Sequence, residues 1–149
     1  MGLKERLEAD QREALRSGQT LRLNTIRLLR SALRNEEIAQ GRPLTDQEVV
    51  ELVLARQIRQ RREAIAEFQK AGRQDLVDRE EAELQVLLGY LPEQLSEAEL
   101  EVLARAAIAE VGAQSPRDHG KVMARLVPQV RGKADLGAVS QLVQRLLTS

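Results

Sequence analysis

With 149 residues, 42% of them hydrophobic and 31% charged, the chain is long enough for one domain or two small ones, with apolar material for a core and charge enough to stay in water. The 23 basic and 23 acidic residues cancel, so net charge points to no partner, and a nucleic-acid surface would have to come from local segregation of charge. The absence of cysteine excludes disulfides, thiolate zinc sites and a cysteine nucleophile.

The apolar residues are almost all Leu, Val, Ile and Ala, with one Phe, one Tyr and no Trp. That palette suits packed helices better than a β-sandwich. The stretch from Met1 to Arg12 is charged and has no apolar signal core, and no segment approaches the ~18 apolar residues of a membrane span. The expectation is a soluble cytoplasmic protein with no membrane contact.

Helical periodicity runs through almost every segment. A first helix is expected over about Leu3 to Arg16, stopped by Ser17-Gly18. A second runs from about Thr20 to Gln40 with Ile26, Leu29 and Leu33 in its apolar stripe, and Gly41-Arg42-Pro43 ends it. Thr45 and Glu48 have capping-box spacing. They open a third helix through Val49, Val53, Ile58, Ile65 and Phe68 to Gly72. A fourth covers about Asp75 to Gly89, with Leu76, Leu84 and Leu87 inward.

Pro92 biases Leu91 away from helical angles, which makes Leu91-Pro92-Glu93-Gln94-Leu95 the best boundary. Ser96 and Glu99 form a second capping box, opening a fifth helix that Gly112 ends after Val111. Ser115-Pro116 reads as an N-cap with proline at the first helical position. The sixth helix is expected to reach about Val127, where Pro128 breaks it, and the seventh to run from about Asp135 to Leu147. The fold expected is all-α: a four-helix part over residues 1–92, then a smaller three-helix part over 93–149.

Five segments together carry a family resemblance. Ile26 to Ile38, Arg61 to Ile65, Lys70 to Leu76, Tyr90 to Ser96 and Gly120 to Met123 resemble the YqeY family, so the likeness spans essentially the whole chain. That family shares its domain with the C-terminal tail of the B subunit of the tRNA-dependent amidotransferase. There the subunit handles aminoacyl-tRNA and transfers ammonia that a separate subunit releases. The tail is the helical part associated with tRNA recognition, and the catalytic cradle has no counterpart in this chain. The resemblance therefore implies an RNA-facing module, with tRNA as a weakly held partner and an aminoacyl-tRNA enzyme or amidotransferase subunit as another. Transfer of the family label alone would make it a carbon–nitrogen ligase with glutamine as amide donor.

A glycine–lysine pair occurs twice, as Gly120-Lys121 and Gly132-Lys133. Neither lysine is followed by Ser or Thr, so neither pair is a P-loop. Between residues 117 and 133, Arg117, Lys121, Arg125, Arg131 and Lys133 face a single acid, Asp118. Such an excess can hold phosphates, with Gly120 and Gly132 letting the backbone approach. The bland alternative is two glycines serving packing and a turn, and solvated lysines. Arg27, Arg30 and Arg34 share a helix face. They form either a second phosphate track or a solvated row paired with Glu5, Glu8 or Glu13. Arg61 and Arg62 interrupt one apolar stripe and Glu80 another. A hairpin about Gly72 would bring them together, with Glu83 in reach, as an inter-helix ion pair.

Catalytic constellations are scarce. His119 is the lone histidine, expected at the surface. Glu80, Glu81 and Glu83 have no histidine partners for a bundle metal site. No catalytic residue, metal or cofactor is assigned. With only Phe68 and Tyr90, stacking of unpaired bases is not expected, and any RNA would be gripped by its backbone shape. Three functions compete: a tRNA-binding module, a protein-interaction adaptor, and an amidotransferase-like enzyme. The basic excess favours the first, and the missing nucleophile speaks against the third.

Overall fold

The computed structural model describes residues 2–149, and every regular element among them is helical. Two compact units divide between Leu91 and Pro92. In the first, α1 spans Leu3–Arg16 and α2 spans Thr20–Gln40. The third helix, α3, is one run of Asp46–Glu48, Val49–Leu54 and Ala55–Lys70, and α4 spans Gln74–Leu88. In the second, α5 spans Glu97–Val111, a 3-10 turn covers Pro116–Asp118, α6 spans His119–Val130 and α7 spans Leu136–Thr148.

Local chemistry sets these ends. The Thr45 hydroxyl accepts from the Glu48 N–H at 3.2 Å, and the Glu48 carboxylate accepts from the Thr45 N–H at 3.0 Å. That reciprocal pair satisfies two of the donors that an α-helix start leaves open. Ser96 and Glu99 repeat it at the start of α5, both bonds at 3.1 Å. The core of the first unit joins Leu7 of α1, Ile26, Leu29 and Leu33 of α2, Val49, Val53, Leu54 and Ile58 of α3, and Leu84 and Leu87 of α4.

Three expectations need correction. The third helix is not uniformly α-helical, because Val49–Leu54 is a π segment. Its three valines would crowd an α-helical turn, and a wider turn is compatible with burying Val49, Val50, Val53 and Leu54 together. In α4 the inward residue of the first turn is Val77, at 2% exposure, while Leu76 is only half-buried. Leu76 stands about 100° around the helix from the row that reaches the core. Pro128 does not break the sixth helix, which passes through it to Val130. Its missing N–H forgoes one bond near the helix end, and Val130 just beyond is fully buried, holding the last turn in place.

The α3–α4 hairpin encloses a charge cluster. Arg61 Nε lies 3.0 Å from a Glu83 oxygen and 3.4 Å from a Glu80 oxygen, so the expected inter-helix pair forms. Arg79 also approaches Glu83, at 3.5 Å. Arg61 Nε and Glu80 Oε2 are buried yet make no hydrogen bond, so that contact is purely electrostatic. Burial first, and the Glu83 charge second, push the Glu80 carboxyl above its usual value against the pull of Arg61 and Arg79. A carboxyl raised in the fold binds its proton more tightly than in the unfolded chain. Its contribution is therefore full below the unfolded pKa and lost as pH rises through the folded one. Arg61→Ala should destabilise the first unit by about 2–4 kcal/mol, near the range for breaking a buried pair. Glu80→Gln should leave stability at pH 7 unchanged or higher and should flatten its decline above about pH 4.3. Chemical denaturation of each variant across pH checks both.

Tyr90 closes the first unit. Its ring is 6% exposed, its hydroxyl donates to Asp10 at 2.6 Å, and the Arg6 guanidinium sits 4.7 Å from the ring centre. Arg6 also donates to the Gly89 carbonyl at 2.8 Å, so α1 grips the chain as it leaves α4. Burial, then the bond to Asp10, pushes the phenol above its ordinary range. A phenol raised in the fold contributes stability that is full below about pH 10 and lost as pH rises further. Tyr90→Phe should cost about 1 kcal/mol at pH 7 and should remove part of the alkaline loss, as denaturation at neutral and alkaline pH will show.

Candidate nucleic-acid interface

The second unit is built on Val122, Leu126 and Val130 of α6, which are fully buried against Leu100, Ala104 and Ala107 of α5 and Val139, Leu142 and Val143 of α7. Lys121 and Arg125 each precede a buried residue of that row, and both are exposed. Arg117, Lys121 and Arg125 follow at four-residue spacing, about 6 Å per step where the chain is α-helical. Three of this unit's seven acids, Glu97, Glu99 and Glu101, occupy the first half of α5, while Asp118 lies within the basic stretch and Asp135 just after it.

The candidate cations differ in what already holds them. Arg117 is exposed, and its guanidinium has no partner among the described residues. Lys121 is exposed and makes no ion pair among them. Asp118 is held below the usual carboxylate range chiefly by the Gln114 amide, 2.9 Å away, with the Lys121 charge adding to the effect. Arg125 is committed, because its Nε donates to Glu110 of α5. Arg131 and Lys133 are exposed on the turn between α6 and α7, and the Lys133 side chain has no partner among the described residues. That turn is firmly tied. The Lys133 N–H donates to Val130 at 2.8 Å, the Lys133 carbonyl accepts from Leu95 at 2.9 Å, and the Gly132 carbonyl accepts from Gln94 at 3.0 Å.

The two glycines are not equivalent. Gly132 has φ +79°, a left-handed conformation that costs a residue with a Cβ about 1–2 kcal/mol. Gly120 lies within α6, and a Cβ added there would meet nothing within 4 Å. Packing therefore does not require it.

On α2, Arg30 donates to Gln11 at 2.7 Å and pairs with Glu8 at 3.4 Å. Arg27 and Arg34 are exposed, with no partner among the described residues. The row is thus neither wholly paired nor wholly free. Sequence reasoning missed the role of His119, which is half-buried rather than at the surface. Its Nε2 lies 3.1 Å from the Ser140 hydroxyl and 3.2 Å from the Ser140 carbonyl oxygen. Either tautomer finds a partner there, so the contact ties the start of α6 to α7. A histidine one hydrogen bond from a serine has the spacing of a base and nucleophile, but here the same nitrogen is shared with a carbonyl. A groove of about 540 Å³ on the α3–α4 hairpin, lined in part by Arg62, Glu81 and Gln85, is remote in sequence from the basic stretch.

Gly120→Ala should stabilise the second unit by about 0.5–1 kcal/mol, the usual gain within a helix. Gly132→Ala should destabilise it by about 1 kcal/mol or more. Thermal denaturation of the two variants separates a helical from a conformational glycine.

Comparison with known proteins adds kinship. A family profile described as Yqey-like protein matches residues 4–147. The chain is 33% identical over 145 residues to "Altered inheritance of mitochondria protein 41, mitochondrial" of Pyrenophora tritici-repentis, covering 95% of this chain and 79% of that protein. The protein of the same name from Lachancea thermotolerans is 36% identical over 113 residues, 74% of this chain and 60% of its own. That from Kluyveromyces lactis is 32% identical over 129 residues, 82% and 70%. These names overturn the cytoplasmic expectation. A charged N-terminal stretch argues against an apolar signal core but does not discriminate between aqueous compartments. No helix among the described residues is long and apolar enough to cross a membrane. The profile match over nearly the full chain, with relatives at this identity, shows that the chain belongs to the YqeY family.

Proposed function

We propose that the chain is a non-catalytic, tRNA-associated module that holds folded RNA weakly by its phosphates. The observation that carries this reading is the exposure of Arg117, Lys121 and Lys133 without ion-pair partners among the described residues, in a stretch whose one acid is Asp118. Cations without an ion pair are available to phosphate directly, Lys121 sharing part of its field with Asp118, whereas Arg125 must first exchange Glu110 for it. An exposed pair of that kind contributes little, about 0–1 kcal/mol, so the exchange is cheap. The resemblance to the tail of the amidotransferase B subunit names tRNA as the class of RNA. Kinship with mitochondrial relatives supports a mitochondrial setting for such a module. Tyr90 is buried and Phe68 half-buried, which leaves no aromatic platform for unpaired bases and favours recognition of backbone shape.

A few phosphate contacts without base readout give dissociation constants of roughly 10⁻⁴–10⁻⁶ M, weakened steeply by salt. Lys121→Glu with Lys133→Glu should lower affinity for folded tRNA and flatten the slope of log K against log salt by roughly two contacts' worth. The control, Arg27→Glu with Arg34→Glu, should matter much less. Fluorescence anisotropy across a salt titration reads both. Wild-type binding by the lysine double variant would remove the site, and no binding by the wild type at low salt would remove the function.

A further inference from the structure

α2 packs on α1, α3 and α4, and spends Leu23, Ile26, Leu29 and Leu33 on those contacts. Its remaining face carries Leu21, Asn24, Leu28, Ser31, Asn35 and Ile38, at alternating steps of three and four along most of the helix. All six are exposed, Leu28 by 53% and Ile38 by 72%. No charge interrupts the row, although α2 contains four arginines and two glutamates. A solvated face normally carries the charges of an amphipathic helix. The row is uncharged and half apolar, with Leu21, Leu28 and Ile38 exposed between the polar Asn24, Ser31 and Asn35. Its three-and-four spacing is that of helix-on-helix pairing, in which a polar residue at a seam position helps to fix register. One edge of the row is Arg27 and Arg34, two turns apart and unpartnered among the described residues, while the other edge, Thr25, Ala32 and Ala39, has no charge.

We propose that this face docks a helix of another protein whose apolar seam is edged by carboxylates. The charge pattern selects that occupant. A second copy laid antiparallel would set Arg27 near Arg34 of its mate, and one laid parallel would set both arginines against uncharged positions. Either arrangement leaves four arginines uncompensated. RNA would take the arginines but leave Leu28 and Ile38 in water. Glu or Asp at the flanking positions of an incoming helix meets Arg27 and Arg34 while its apolar residues cover the row. This inference stands apart from the RNA reading, since it uses different residues on a different unit.

The test uses the full chain and two synthetic amphipathic helices with leucine along the seam, one edged with glutamate and the other with lysine. Binding is read by anisotropy at low salt, with circular dichroism confirming that each variant is folded. The glutamate-edged helix should bind and the lysine-edged one should not. Arg27→Glu with Arg34→Glu should weaken the first by about tenfold or more and turn the preference toward the second. Leu28→Asn with Ile38→Asn should weaken binding whatever the edge. The proposal is overturned if the glutamate-edged helix does not bind, if the two helices bind equally, or if the Leu28 and Ile38 substitutions change nothing. It is overturned equally if the chain alone dimerises through this row, or if the arginine double variant loses tRNA binding.

Discussion

Burial of one aliphatic row per helix is the constraint on which the other features of this protein depend. With one Phe and one Tyr in the chain, cores must be assembled from Leu, Val, Ile and Ala repeating at steps of three and four. Once such a row is turned inward, the phase of every other side chain follows. Ile26 and Leu33 face the core, so Arg27 and Arg34, one position later, do not. Val122 and Leu126 are buried, so Lys121 and Arg125, one position earlier, are outside. The exposed charges at both candidate surfaces are thus placed by hydrophobic phase, without any ligand being needed to position them.

Phase decides exposure, but tertiary neighbours decide whether a charge is free. Arg61 and Arg117 are the same residue type, each on or beside a helix. Arg61 meets Glu83 and Glu80 across a hairpin and is largely withdrawn from water, at 15% side-chain exposure. Arg117 faces solvent. In the cluster Arg61 serves two carboxylates, with the more exposed Arg79 also reaching Glu83, and burial first and Glu83 second still raise the Glu80 carboxyl. Desolvation and the neighbouring carboxylate penalise the charged form more than the two guanidiniums offset. At Arg125 the partner is half in water, and the same kind of contact is weak enough to exchange. Like-looking arginines therefore range from structural to available, with burial setting the scale.

This explains what was legible in the sequence and what was not. The two capping boxes, the interruption at Leu91-Pro92 and the apolar rows are local or periodic signals, and they fix the helices nearly to the residue. The Arg61 pairing was legible because a hairpin about Gly72 leaves little choice of neighbours. Three features could not be read from local sequence. The π segment Val49–Leu54 is indistinguishable by periodicity from a buried α-helical stretch. Pro128 carries the breaker signal, but packing of Val130 outweighs one lost hydrogen bond. The engagements of Arg125 with Glu110 and of His119 with Ser140 span 15 and 21 residues, and nothing in either local sequence announces them.

A chain with no net charge can therefore present two faces of different chemistry. In the second unit three acids sit early in α5, while Arg117, Lys121 and Lys133 are exposed without ion-pair partners among the described residues, so charge is locally segregated although the whole chain has no net charge. On α2 one exposed face carries no charge, and Arg27 and Arg34 stand at its edge. A phosphate backbone is held by point charges that tolerate many arrangements, and its grip fades with salt. A helix in a seam is held by shape and apolar contact, and persists where salt screens the first interaction. Salt therefore separates the two proposed surfaces physically: a phosphate ligand held only by exposed cations would be released at an ionic strength at which apolar contact along the α2 row is little affected.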